Sequence, residues 1–81
     1  MMLTGAQIRM ARGYLRLSVR EFADTAGVSP ATIKRMEEGD GVPNALADNL
    51  AKVQRAFEAA GVEFTNGGEP GVKLRRKEDP A

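Results

Sequence analysis

The apolar residues of this chain recur with a helical period over its first three quarters and with a two-residue period near its end. Ile8, Ala11 and Leu15 stand at i, i+3 and i+7, the spacing of one helix face. Thr4 precedes them, and Gln7 follows Thr4 by three residues. That capping-box spacing predicts a first helix from Thr4 to about Leu15. Gly13 costs this helix ~1 kcal/mol of propensity and is expected to let its end fray. Ser18 and Glu21 repeat the box and open a second helix over about Val19–Ala26. Its buried face is Phe22, Ala23 and Ala26, and Gly27 stands where a positive-φ residue closes a helix.

Only Val28 separates Gly27 from the next start signal, Ser29 as N-cap and Pro30 at the first helical position. A third helix is predicted from Pro30 to Glu38, stopping at Gly39, with Ile33 and Met36 as its apolar side; Asp40-Gly41 makes a turn. Pro43-Asn44 opens the last helical region. There Leu46, Leu50, Val53, Phe57 and Ala60 fall at i, i+4, i+7, i+11 and i+14, and Gly61 ends the run. The region is one helix, or a short helical turn followed by a longer one.

After Gly61 the period becomes two. Val62-Glu63-Phe64-Thr65 and Val72-Lys73-Leu74-Arg75 alternate apolar and polar residues. A tight Asn66-Gly67 turn would set Phe64 opposite Glu69. A longer loop pairs Phe64 with Val72 and Val62 with Leu74, keeping all four on one face, and is the preferred register. The fold class is therefore mainly α, four or five helices with a C-terminal β-hairpin at 62–76. The charged tail 77–81 is expected to be disordered.

Composition narrows the chemistry. The chain has 81 residues, enough for one modest core. It contains no cysteine and no histidine, which removes disulfides, thiolate metal sites, the Cys nucleophile and the usual general base. No metal or cofactor is expected. No apolar run nears the ~20 residues that span a bilayer, and the first ten residues lack a signal peptide's apolar stretch. A cytoplasmic, non-enzymatic protein without a membrane partner is expected. Net charge is only +1, but its distribution is uneven. Residues 1–36 carry Arg9, Arg12, Arg16, Arg20, Lys34 and Arg35 against Glu21 and Asp24. A local field of that sign favours phosphates.

Ala23, Gly27 and Ile33 lie at offsets 0, +4 and +10. A small residue allows a close helix crossing, a glycine makes the tight turn, and a branched apolar side chain fills the angle between the helices. Such a pair crosses at about 90–120° and projects the start of its second helix outward.

The stretch Ser18–Gly39, SVREFADTAGVSPATIKRMEEG, resembles the helix-turn-helix of the Xre/Cro-type, phage-repressor-like family. The matching positions are Phe22-Ala23, Gly27-Val28-Ser29, Ile33 and Glu37-Glu38-Gly39, and the likeness extends over about residues 4–60. It implies a lambda-repressor-like bundle that binds double-stranded DNA as a transcriptional regulator, with residues 1–61 as the DNA-binding domain and 18–39 as its helix-turn-helix. It also implies that Arg12 and Glu37 pair as a structural salt bridge. The chain departs from the family where many members carry glutamines. Val19 and Arg20 open the second helix and Pro30-Ala31-Thr32 the third, so the likeness carries over no target sequence.

On such a frame the exposed side of the third helix is Pro30, Ala31, Lys34 and Arg35, with Thr32 at its edge. Arg35 suits guanine, and Ala31 or Thr32 the thymine methyl. Arg20, Ser29, Thr32 and Lys34 suit phosphates, with the amides that open the second helix. Arg9 and Arg16 are expected on a solvated face. Ser18, Ser29 and Thr32 are caps rather than nucleophiles, since no histidine exists to activate them. One short helix reads about four base pairs, so a homodimer is expected on DNA. No effector domain is expected in the last ~20 residues. The alternative is a module, such as an antitoxin or antiactivator, that masks a regulatory protein partner.

Overall fold

The computed structural model of the protein describes residues 3–66 and 68–75; the tail expected to be disordered at 77–81 lies outside them. Among the described residues the chain forms α1 (Gly5–Leu15), α2 (Val19–Ala26), α3 (Pro30–Glu37) and α4 (Ala47–Ala59), then β1 (Val62–Thr65) and β2 (Gly71–Leu74). This is a mainly helical bundle with a C-terminal antiparallel hairpin.

Each of the first three helices starts on the same local device. Thr4, Ser18 and Ser29 are extended N-caps whose hydroxyls accept from the backbone amides of Gln7, Glu21 and Thr32. In the first two, the Gln7 and Glu21 side chains reach back to the cap's own N–H. An apolar residue precedes each cap and another stands at the fourth helical position: Leu3 with Ile8, Leu17 with Phe22, Val28 with Ile33. All six belong to the core or pack against it. These are hydrophobic staples, which set the angle at which the chain enters a helix.

α1 ends differently from the predicted fraying at Gly13. Arg16 takes a left-handed conformation, φ 58°, and its N–H closes onto the carbonyls of Arg12 and Gly13. α4 also departs from its sequence pattern. It begins at Ala47, not at Pro43-Asn44. Leu46 is an extended N-cap, ψ 138°, without a side-chain cap bond. Leu46 is 72% exposed, although Leu50, Val53 and Phe57 behind it keep the inward stripe. Spacing along a helix says nothing about a residue whose backbone is not yet helical.

Leu3, Ile8, Ala11, Phe22, Ala23, Ile33, Met36, Val53, Phe57, Val62 and Phe64 form one core. Phe22 stacks on Phe57 with ring centroids 4.1 Å apart, and Phe64 meets Phe57 edge-on at 5.6 Å. The hairpin has the longer-loop register, with Val62 opposite Leu74 and Phe64 opposite Val72. Its apolar face is unevenly covered. Val62 and Phe64 are buried, Val72 packs at the margin, and Leu74 remains 43% exposed. β1 lies against α4 and β2 against α1, so the hairpin completes the core instead of standing away from it.

Candidate nucleic-acid interface

α2, the Gly27 turn and α3 hold the residues that the sequence assigns to recognition. Gly27 is left-handed at φ 79°, and a Cβ there would meet no atom within 4 Å. The demand for glycine is thus one of backbone conformation alone. Ala23 is fully buried, its carbonyl accepts from the N–H of both Gly27 and Val28, and Ile33 is buried across the crossing.

α3 is two-sided. Ile33, Met36 and Glu37 are buried, while Ala31, Lys34 and Arg35 are exposed and Pro30 is half-buried. Ser29 and Thr32 are turned toward each other, with Oγ and Oγ1 2.9 Å apart. Their hydroxyls therefore serve the cap as well as any ligand. Arg20 is exposed on the first turn of α2. Next to it the Glu21 carboxylate accepts from the Ser18 N–H, which lowers its pKa below the ordinary value. That carboxylate stands beside the amides that open α2.

Arg35 borders a shallow recess of about 400 Å³, lined also by Thr32, Asn44, Ala45, Leu46 and Asn49. Sequence reasoning missed this flank. The polar pair Asn44 and Asn49 has no motif, and Leu46 shares the phase of the buried stripe in sequence.

The far end of α3 is held by α1. Arg12 donates from Nε and Nη2 to the two carboxylate oxygens of Glu37, at 2.7 and 2.9 Å, and from Nη1 to the Leu17 carbonyl at 3.0 Å. The hydrogen bond to Glu37, and then its charge, raise the Arg12 pKa against the opposing cost of burial. Arg9, expected on a solvated face, is instead engaged. It donates to the carbonyls of Glu37 and Gly39 and pairs with Asp40. Two of the six cations counted in the first 36 residues are thus occupied within the fold. Arg16, Arg20, Lys34 and Arg35 are exposed and have no ion pair among the described residues. The backbones also meet closely here. A Cβ on Gly5 would lie 2.2 Å from the Gly39 carbonyl oxygen and 2.6 Å from that of Met36. Among the described residues, no group of three or more acidic, cysteine or histidine side chains could hold a metal ion, and no helix is long and apolar enough to cross a membrane.

This geometry defines a helix-turn-helix protein, and comparison with known families agrees. A model of the helix-turn-helix domain matches residues 4–63. The chain belongs to that family, consistent with the Xre-type resemblance, and at this level it is a DNA-binding regulator of a typically non-enzymatic kind. No curated protein matches the chain.

Proposed function

We propose that the protein is a sequence-specific regulator of transcription that reads duplex DNA in the major groove with α3. The observation that carries this reading is the division of α3. Its inner side is anchored at Ile33, Met36 and Glu37, leaving Ala31, Lys34 and Arg35 clear of the fold. Arg35 donates bidentately to guanine O6 and N7, Ala31 and the Thr32 methyl meet thymine, and Pro30 lies at the groove entrance. Arg20, Ser29, Thr32 and Lys34 hold phosphates. Residues 1–61 form the reading unit around the helix-turn-helix at 18–39. Two copies bind as a homodimer, since one α3 spans too few base pairs to select a site in a genome.

Selection from random duplexes with the full chain, followed by binding at several salt concentrations, tests this. A defined site should be enriched. With Arg20 and Lys34 as the cations on phosphates, the slope of log K against log salt should be roughly −2 per protomer. Lys34→Ala should weaken all duplexes alike, and Arg35→Ala should relax one base pair of the selected site. A protein that enriches no site is not a sequence reader. That outcome would favour the second reading, a module that binds a regulatory protein, for which the exposed Met10 and Tyr14, one turn apart on α1, speak.

A further inference from the structure

We infer that Arg9 is a positioning residue for the reading helix, holding α3 by its C-terminal end so that Arg35 meets the groove in a single register. The inference rests on the DNA-reading proposal. It starts from how the helices end. α1 closes on left-handed Arg16, α2 on left-handed Gly27, and α4 is followed by left-handed Gly61. Such residues turn the chain back so that its amides cover the last carbonyls. α3 has no such closure. Its cap Glu38 is right-handed, the cap N–H reaches only the Arg35 carbonyl at 3.4 Å, and Gly39 has no positive φ.

The missing closure is supplied from α1. The Arg9 guanidinium donates through Nη1 to the Glu37 and Gly39 carbonyls and through Nη2 to the Asp40 carboxylate. It thereby brings positive charge to the negative end of the α3 dipole. Asp40 orients the planar fork, a job that suits arginine and not lysine. Gly5 adds a fixed distance, because its backbone lies against the same turn and its N–H donates to the Gly41 carbonyl at 2.8 Å.

A helix of eight residues is a lever of about 12 Å. Without the Arg9 anchor, a tilt of ~10° about the end that follows the Gly27 turn moves the Glu37 end by about 2 Å and Arg35, five residues from Pro30, by about 1.3 Å, more than a bidentate hydrogen bond tolerates. Phosphate contacts through flexible side chains survive such a tilt, and base contacts do not. Arg9 therefore bears on discrimination and not on general affinity.

The test uses the full chain as wild type, Arg9→Ala and Arg9→Gln, each shown to be folded by circular dichroism. The duplexes are the selected site, the site changed at the Arg35 base pair, and an unrelated sequence. Arg9→Ala should bind the unrelated duplex with wild-type affinity and salt slope. Its preference for the selected site over the changed one should fall about tenfold, the worth of one good base contact. Arg9→Gln keeps a reaching amide without the fork or the charge and should fall between, which gives the reading should the alanine variant not fold. Wild-type discrimination in a folded variant overturns the proposal. So does a salt slope smaller by about one with discrimination intact, since Arg9 would then be a phosphate contact. If wild type itself enriches no site, the DNA reading fails first and the positioning role falls with it.

Discussion

Gln7 and Thr65, 58 positions apart, are joined by a hydrogen bond of 2.9 Å from the buried side-chain amide of Gln7 to the Thr65 carbonyl. The same Nε2 donates to the Gly71 carbonyl at 2.9 Å, across the hairpin from Thr65. The Gln7 Oε1 meanwhile accepts from the Thr4 backbone N–H at 2.9 Å and from the Thr4 hydroxyl at 3.2 Å. One fully buried amide thus closes the start of α1 and binds the loop end of the hairpin to it.

Removing that amide should loosen both elements. Gln7→Ala leaves the Thr4 N–H without its partner and strips a donor from two carbonyls, at a cost of about 2 to 3 kcal/mol. Gln7→Glu should be worse at neutral pH, because a carboxylate cannot donate and would face two carbonyl oxygens. Urea unfolding gives the first quantity, and hydrogen exchange at the hairpin amides the second. Hairpin amides as protected in Gln7→Ala as in wild type would show that the core alone holds β1 and β2.

Two glycines of α1 should respond to alanine with opposite sign. At Gly5 the new Cβ would meet two backbone carbonyls at 2.2 and 2.6 Å, and neither is the end of a flexible side chain. Gly5→Ala should force α1 away from α3 and cost several kcal/mol, as overpacking against backbone does. At Gly13 nothing lies within 4 Å, and alanine should stabilise by ~1 kcal/mol through helix propensity. Thermal melts of the two variants decide. A Gly13→Ala protein that melts below wild type would contradict the open space seen there.

Much of this architecture is legible in the chain, and what is legible is local. Capping boxes at Thr4 and Ser18, the Ser29-Pro30 start and the Gly27 stop all act within a few residues. They place three helices to within a residue. The hairpin register follows from keeping Phe64 and Val62 on one face with Val72 and Leu74. What stays hidden is fixed by partners far along the chain. Arg9 looks like a surface arginine because its acceptors lie 28 to 31 positions away. Gly5 passes for a spacer inside a capping box because the carbonyls that forbid a side chain belong to the end of α3. Leu46 keeps the phase of α4 while its backbone is extended. The candidate interface shows the same division. Ala31, Lys34 and Arg35 follow from helical phase, whereas Asn44 and Asn49 reach Arg35 only through the folded loop.

The Arg12–Glu37 pair should prove costly to break from one side. Glu37 keeps only 8% of its side-chain surface exposed and Arg12 24%. Arg12→Ala would leave a buried carboxylate without its bidentate donor and release the Leu17 carbonyl as well. A loss of about 2 to 4 kcal/mol is expected, reduced from the fully buried case by the partial exposure of Arg12. Replacing both residues, Arg12→Ala with Glu37→Gln, should recover a large part of that loss. The quantity to measure is the coupling energy of the double-mutant cycle from urea unfolding. A coupling near zero would mean that the pair adds geometry without stability.

Acid should weaken the start of α2 through Glu21. Its carboxylate accepts from the Ser18 N–H at 2.8 Å, and the Ser18 hydroxyl accepts in turn from the Glu21 N–H at 3.0 Å. The backbone hydrogen bond from Ser18 is the larger cause of the lowered pKa, and the side-chain hydrogen bond the smaller. A carboxyl whose folded pKa lies below its unfolded value, about 4.3 for glutamate, stabilises the fold at pH above that value. The contribution shrinks as pH falls below it and vanishes once the folded pKa has been passed. Glu21→Gln keeps a capping acceptor but does not titrate. The variant should therefore be less stable than wild type at neutral pH, and the gap should close as the solution is acidified below about pH 4. Denaturation of both proteins across that window measures it. A gap that stays constant with pH would place the difference in packing or propensity and not in the charge of the capping box.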